Sequence, residues 1–100
     1  MLIVTGYVHV EPSAVAEFVT DIEALAHGAK QRDGGLFYAV AVDGRAAGRL
    51  LVAERWRDQA SLTAYLHAPE TLTFVERWRD RMRADLRKYD AANERTLFDE

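Results

Sequence analysis

The chain contains no cysteine, which excludes disulfides, thiolate nucleophiles and cysteine-based zinc or iron–sulfur sites. Its apolar runs are short pieces such as Leu50–Ala53, far below the ~20 residues that a membrane span needs. The first residues show neither a basic segment nor an extended apolar stretch, so no signal peptide is predicted. We therefore expect a cytoplasmic protein with no membrane partner.

Basic residues are outnumbered as well. Lys and Arg total 13 against 16 Asp and Glu, a net charge of -3, which argues against a nucleic-acid partner because phosphates select a basic surface. A length of 100 residues suits a single domain, and a hydrophobic content of 49% is enough for a core. Because a domain this small buries a modest fraction of its surface, much of that surface is left for a partner subunit.

Hydrophobic patterning divides the chain into strands and helices. Segments rich in β-branched and aromatic residues predict four strands, over residues 2–10, 36–42, 50–56 and 85–91, with 92–100 as a C-terminal tail. Apolar residues spaced three and four apart predict a helix from Val15 to Ala26, and a second helical unit after Asp58 that is split at Pro69. The order βαββαβ, in one domain of residues 1–100, indicates a ferredoxin-like α+β fold with a four-stranded antiparallel sheet.

Both faces of the predicted sheet are apolar. In the second strand one face carries Leu36, Tyr38, Val40 and Val42, and the other carries Phe37, Ala39 and Ala41. Helices cover only one face of a ferredoxin-like sheet, and a solvated second face would alternate to polar residues. We therefore expect a second copy of the chain on that face, in a homodimer whose sheets pack together.

The middle of the chain carries a family resemblance. The stretches Gly34–Asp43 (GGLFYAVAVD) and Glu54–Leu62 (ERWRDQASL), followed by Pro69 and Phe74, are similar to the antibiotic biosynthesis monooxygenase (ABM) domain, and most of all to its quinol-monooxygenase-like branch. The resemblance implies a dimeric α+β barrel with a pocket between each sheet and its helices. It also implies oxygenation of phenolic or hydroquinone substrates without a metal or flavin cofactor.

Three positions depart from the family pattern. Many relatives have a histidine where this chain has Tyr65, another where it has Glu70, and an acidic residue where it has Arg32. His67 lies two residues from the first of these positions, which is most of half a turn on a helix. The resemblance thus implies the architecture more strongly than it implies a set of catalytic residues.

Oxygenation without a cofactor needs an apolar pocket, a base and a polar group near the developing oxygen anion. The candidate catalytic residues are His9, Tyr65 and His67, and the candidate substrate-binding residues are Tyr7, Tyr38, Trp56 and Trp78. Tyr7 and His9 share one strand face and are expected to converge. The competing interpretation is structural, because aromatic residues of small domains usually belong to the core. Three dispersed histidines without ligand spacing predict no metal site.

Two charged features complete the pattern. Glu54 shares a strand face with Trp56, and we interpret it as a structural pairing group, across the dimer interface for example, rather than a catalytic one. The run from Glu76 to Asp85 places opposite charges three and four residues apart (Glu76–Arg79, Asp80–Arg83, Arg81–Asp85), which indicates a solvated helix face.

Three functions stay open. The one we favour is a cofactor-independent monooxygenase that oxidises a small aromatic quinol or polyphenol with O2. The second is a dimer that binds or senses a small ligand without catalysis, because histidine is absent at Tyr65 and Glu70. The third is another chemistry on the same barrel, such as isomerisation or reactive-aldehyde breakdown, since one fold hosts unrelated activities.

Overall fold

The chain, described over residues 1–100 in a computed structural model, folds as one antiparallel sheet with its helices on one side. The strands are β1 (Leu2–Val10), β2 (Gly35–Gly44), β3 (Arg49–Trp56) and β4 (Met82–Asp90), and the helices are α1 (Val15–Gln31), α2 (Gln59–Leu66) and α3 (Pro69–Trp78). The sheet order β2-β3-β1-β4 confirms the predicted ferredoxin-like α+β fold. No helix is both long and apolar enough to cross a membrane.

Local sequence signals set the element boundaries around the second helical unit and the hairpin. Asp58 caps α2: its Oδ1 accepts hydrogen bonds from the Ser61 backbone N–H at 2.8 Å and from the Ser61 hydroxyl at 2.7 Å. Pro69 begins α3, where a missing N–H has no consequence for the helix. The turn between β2 and β3 ends at Gly48 with φ of 66°, a left-handed conformation that favours glycine.

The last strand begins earlier than the sequence predicts. It spans Met82–Asp90 rather than 85–91, and α3 already ends at Trp78. The predicted helical pairs Asp80–Arg83 and Arg81–Asp85 are therefore absent, while Glu76–Arg79 forms at 3.5 Å. The physical reason is non-local, because all nine residues of β4 pair with β1 and this ladder overrides a local charge spacing that suits a helix.

Gly6 allows the close approach of β4 to β1. Its φ is 151°, a conformation rare for other residues, and a Cβ at this position would collide with the carbonyl oxygen of Asp85 on the neighbouring strand. Glycine is thus required here by the packing of two backbones rather than by a turn.

The two faces of the sheet differ in what covers them. Even-numbered residues of β1 and β3 pack against the helices in a core that includes Val8, Phe18, Leu50, Val52 and Trp78. On the other side lies what we call the open face: Ile3, Thr5, Tyr7, His9, Phe37, Ala39, Ala41, Arg49, Leu51, Ala53 and Arg55, with odd-numbered residues of β4 beside them. Tyr7, Phe37 and Leu51 are about two-fifths exposed on it. The predicted apolar character of this face is confirmed for β2 and β3.

Candidate functional site

A row of four side chains crosses the whole sheet on the side of the helices. In the strand register Tyr38 lies opposite Glu54, Glu54 opposite Val4, and Val4 opposite Lys88. Residues directly opposite one another in adjacent strands share a face, so all four side chains point toward the helix layer. Two of them are charged, which is unusual on the core side of a sheet.

Three of the aromatic residues singled out from the sequence meet at one end of this row. The rings of Trp56 and Tyr65 are stacked, with centroids 4.8 Å apart, and the ring of Tyr38 meets Tyr65 edge-on at 6.0 Å. The Tyr65 hydroxyl donates a hydrogen bond to the Tyr38 hydroxyl at 3.2 Å. Helix α2 thus presses its one tyrosine onto the β2–β3 hairpin.

Glu54 is a carboxyl group buried among these rings. It is 4% exposed, its Oε1 accepts a hydrogen bond from Trp56 Nε1 at 2.9 Å, and Tyr38 lies directly opposite it on β2. Burial raises the pKa of Glu54, because the charged form is poorly solvated, and the hydrogen bond from Trp56 opposes part of that increase. A carboxyl whose pKa is raised by burial is suited to accept a proton from a bound molecule.

The two tyrosines remain protonated donors. Burial is the main cause that raises the pKa of both Tyr38 and Tyr65, and the nearby carboxylate of Glu54 adds to it. The Tyr65 hydroxyl donates to that of Tyr38, whose residue lies opposite Glu54 in the strand register. The hydrogen bond from Trp56 Nε1 orients the carboxylate itself.

A cavity of about 340 Å³ opens beside Glu54, between α2 and the β1 and β4 strands. It is lined by Val4, Glu54, Leu62, Tyr65, Leu66, Leu86, Arg87 and Lys88. The volume and the mostly apolar lining with a few polar groups are typical of a site for a small molecule. Glu54 and Tyr65 supply its proton-accepting and hydrogen-bonding groups.

The other candidates from the sequence lie away from this cavity. Tyr7 and His9 do share a strand face, but it is the open face, on the far side of the sheet from Tyr65. Trp78 packs edge-on against Phe18 at 4.9 Å and donates to Asp21 at 2.8 Å, beneath α1.

His67 is exposed just after α2, with its Nδ1 2.9 Å from the Thr63 carbonyl oxygen. The structure therefore brings Tyr38, Trp56 and Tyr65 together and separates them from both candidate histidines. The cause is the parity of the strand: side chains on adjacent positions of β1 face opposite sides of the sheet, and only Val4 and Val8 of its central part reach the helix side.

The sequence pattern predicts only a structural role for Glu54, and it gives no sign that Lys88 belongs to the site. The expected structural pairing of Glu54 is present, but its partner is Trp56 of its own strand rather than a residue across a dimer interface, because the side chain points to the helices. The available signal was its alternation with Val52 and Trp56, which already placed a carboxylate on a buried face. No local signal marked Lys88, because only the register of β4 against β1 brings it into the row.

Two departures from the family pattern compensate one another. Arg32 Nη1 lies 3.3 Å from Glu70 Oε1, so the basic residue at one position pairs with the acidic residue at the other. Both side chains are partly exposed, and the pair contributes little to stability. No group of three or more His, Asp or Glu side chains is placed to share a metal ion.

Comparison with known structures finds the same fold repeatedly. A provisionally assigned antibiotic biosynthesis monooxygenase from Deinococcus radiodurans superposes with a TM-score of 0.87 at 20% identity, covering 99% of this chain and all of that one. Another from Nitrosomonas europaea gives 0.80 at 14% identity, with 93% and 100% covered. A Bacteroides thetaiotaomicron protein described as a possible oxidoreductase gives 0.80 at 14% identity, with 88% and 94% covered.

The match at the level of sequence is to a family rather than to an individual protein. None of the curated proteins matches the chain. The family model for antibiotic biosynthesis monooxygenases matches residues 1–77, from β1 through most of α3. That match covers the hairpin, the buried Glu54 and the α2 helix that carries Tyr65, and the chain belongs to the antibiotic biosynthesis monooxygenase family.

Proposed function

We propose that this protein is a cofactor-independent monooxygenase that oxidises a small aromatic quinol or polyphenol with O2 in the cavity beside Glu54. The single observation that carries the proposal is the buried carboxyl at the wall of an apolar cavity, with its pKa raised by burial and its orientation held by Trp56. Membership of the family and the monooxygenase names of its structural neighbours support an oxygenase over other chemistries.

Glu54 is the proposed base, in place of the histidines considered from the sequence. In its charged form it accepts the phenolic proton of the substrate, which leaves an electron-rich phenolate that can transfer electrons to O2. The apolar walls from Leu62 and Leu66 exclude water from the ring. The Tyr65 hydroxyl, which donates to Tyr38 in the ligand-free protein, turns toward the cavity in the proposed complex and stabilises the oxygen anion that develops.

The reaction balances without an added reductant. A hydroquinone and O2 give a hydroxyquinone and water: one oxygen atom enters the ring, the other leaves as water, and the substrate supplies all four electrons. The proton taken by Glu54 returns in the water that forms. The protein contributes binding, proton transfer and exclusion of solvent.

The active unit is proposed to be a homodimer joined through the open face. Leu51, Phe37 and Tyr7 are large apolar side chains that remain about two-fifths exposed there. Arg49 and Arg55 lie over the rings of Tyr7 and Phe37 at 5.4 and 4.9 Å, so the face combines apolar area with ordered cations that suit a protein interface.

The test is oxygen uptake with a panel of hydroquinones under ¹⁸O2, with the product examined by mass spectrometry. We expect uptake well above autoxidation, one labelled oxygen in the product, and a loss of about a hundredfold or more in kcat/KM for Glu54→Gln. Glu23→Gln, at an exposed position of α1, is the matched control and should keep full activity.

Two outcomes would contradict the proposal. Oxygen uptake no faster than autoxidation across the panel would contradict the proposed oxygenase activity. Equal activity of Glu54→Gln and Glu23→Gln would contradict the assignment of Glu54 as the base. Thermal stabilisation by the same aromatic compounds without turnover would instead favour the alternative function, a dimer that binds or senses a small ligand. The observation that favours this alternative is the cavity lining, which contains no histidine.

A further inference from the structure

Lys88 is the second charged member of the row that crosses the sheet, and it lies at the mouth of the cavity. Its Nζ donates a hydrogen bond to Gln59 Oε1 at 2.8 Å, which holds the side chain between β4 and the start of α2. An ammonium group has three donors, and this bond uses one. Lys88 takes part in none of the ten ion pairs of the protein, from Arg32–Glu70 to Arg87–Asp85.

The neighbouring cation does not share this position. Arg87 pairs with Asp85 at 3.2 Å, two residues away on the same side of β4, where side chains point to the open face. Arg87 also lines the cavity, but its guanidinium is engaged by Asp85. Lys88 is therefore the one cation that the helix-facing row offers to an occupant.

The row sets the distance between the backbones of Glu54 and Lys88. Glu54 and Lys88 flank Val4 on the two strands next to it, so their Cα atoms are separated by two interstrand spacings, about 10 Å. Apolar side chains fill the wall between them, with Val4 below and Leu62 above. The cavity thus has an acceptor on one side, a cation on the other and apolar side chains between them.

We propose that the occupant is a phenol or hydroquinone that carries an anionic group, most simply a carboxylate, at a ring position away from the reacting hydroxyl. Lys88 is then a specificity-determining residue: it receives the anion while Glu54 receives the hydroxyl. This inference rests on the proposed function for the location of the substrate, and it adds the charge and the polarity of that substrate along the cavity. A neutral aromatic ligand offers Lys88 no anionic partner, so the two remaining donors of its ammonium group would hydrogen-bond only to water.

The decisive experiment compares two ligands of the same shape, 4-hydroxybenzoate and the neutral 4-hydroxybenzamide, by titration calorimetry at pH 7. The wild-type protein is expected to bind the carboxylate about tenfold more tightly than the amide, since a charge-assisted hydrogen bond replaces a neutral one. In Lys88→Met that ratio should fall to about one. Lys88→Arg, which keeps the charge, should restore it at least in part.

Lys30→Met is the matched control, because Lys30 is an exposed lysine at the end of α1 and borders no part of this cavity. It should keep the wild-type preference. Equal wild-type affinities, a preference that survives in Lys88→Met, a loss of preference in Lys30→Met as well, or no binding of either ligand at millimolar concentration would each overturn the inference. Carboxylate-selective binding with no oxygen uptake would support the role of Lys88 and contradict the proposed monooxygenase activity.

Discussion

Trp56 donates its indole N–H to the carboxylate of Glu54, two residues earlier on the same strand, and both side chains are buried. Residues i and i+2 of a strand share a face, so the strand itself fixes the angle of the carboxylate. Tyr65 closes the arrangement from above by stacking on the indole. The candidate base is held by core packing rather than by a loop, and its properties can be tested through stability as well as through activity.

The burial of Glu54 predicts a characteristic dependence of stability on pH. Its pKa is raised above the ordinary value of 4.5, so between 4.5 and the folded-state pKa the folded protein binds more protons than the unfolded chain. Its contribution to the free energy of unfolding is therefore fully present below pH 4.5 and is lost as the pH rises through the folded pKa. Relative to wild type, Glu54→Gln should gain stability over that interval and then hold a constant advantage. Urea unfolding from pH 4 to 8 measures this, and parallel curves would show that the carboxyl is not desolvated.

Glu17 predicts the opposite dependence. Its hydrogen bond from Arg81, and then that from Arg77, lower its pKa to about 2 from an ordinary value of 4.5. This contribution is present above pH 4.5 and is lost as the pH falls toward 2. Glu17→Gln should be less stable than wild type at pH 7, by a small amount because the group is exposed, and this deficit should shrink steadily as the pH falls from 4.5 through 2. High salt should shrink the difference at pH 7. Glu23→Gln should show none, and a Glu17→Gln deficit that does not change between pH 7 and pH 2 would assign the effect to packing.

Trp56→Phe separates the hydrogen bond of the indole from its ring. Phenylalanine keeps an aromatic face against Tyr65 but leaves Glu54 with one donor fewer, which should cost about 2 kcal/mol of unfolding free energy. Since that hydrogen bond lowers the pKa of Glu54, its loss should shift the acid limb of the kcat/KM profile to higher pH.

Trp78→Phe is the matched control for this variant. Trp78 is also a buried tryptophan bonded to a carboxylate, Asp21, but it lies outside the cavity. It should lose stability without any shift of the pH profile. A profile of Trp56→Phe that coincides with wild type would argue that the titrating group is not Glu54.

Leu51→Glu tests the proposed dimer. Leu51 lies on β3 within the open face and is 39% exposed, so a carboxylate there is tolerated by the isolated fold but not between two packed sheets. Sedimentation at micromolar concentration should give a dimer for wild type and a monomer with unchanged circular dichroism for Leu51→Glu. Leu72→Glu, at an exposed position of α3, should remain dimeric. A wild-type monomer would refute the predicted interface.

Most of the fold was accessible from the sequence because its strongest signals are local. Gly48 in the hairpin turn, the Asp58 cap and Pro69 each act within a few residues, and they delimit the elements of the middle of the chain. The start of β4 could not be predicted from the sequence. Its residues are mostly exposed and charged, so no hydrophobic alternation marks Met82 as a strand, and only pairing with β1 makes it one.

The candidate site divides in the same way. Tyr38 and Trp56 were recognised because they lie in the family-like stretches, and Tyr65 because it occupies a position where many relatives have a histidine. His9 and Tyr7 were grouped correctly with each other but not with Tyr65, since a one-dimensional pattern states which residues share a face and not which face the helices cover. Lys88 depends on a pairing between opposite ends of the chain, which no window of sequence contains.

The row from Tyr38 to Lys88 also bears on how the protein reaches its native state. It includes one residue from each of the four strands. The pairing of β1 with β4, which completes the row, also joins Leu2 to Asp90 across almost the entire length of the chain. Pairings of such long sequence separation carry a large loop-closure entropy and form slowly. A partly folded chain with the β2–β3 hairpin and α2 in place would contain Glu54 and Tyr65, but it would lack the side of the cavity that β1 and β4 form. The capacity to hold a ligand should therefore arise only in the final stage of refolding, and ligand binding would trap the completed sheet rather than its precursors.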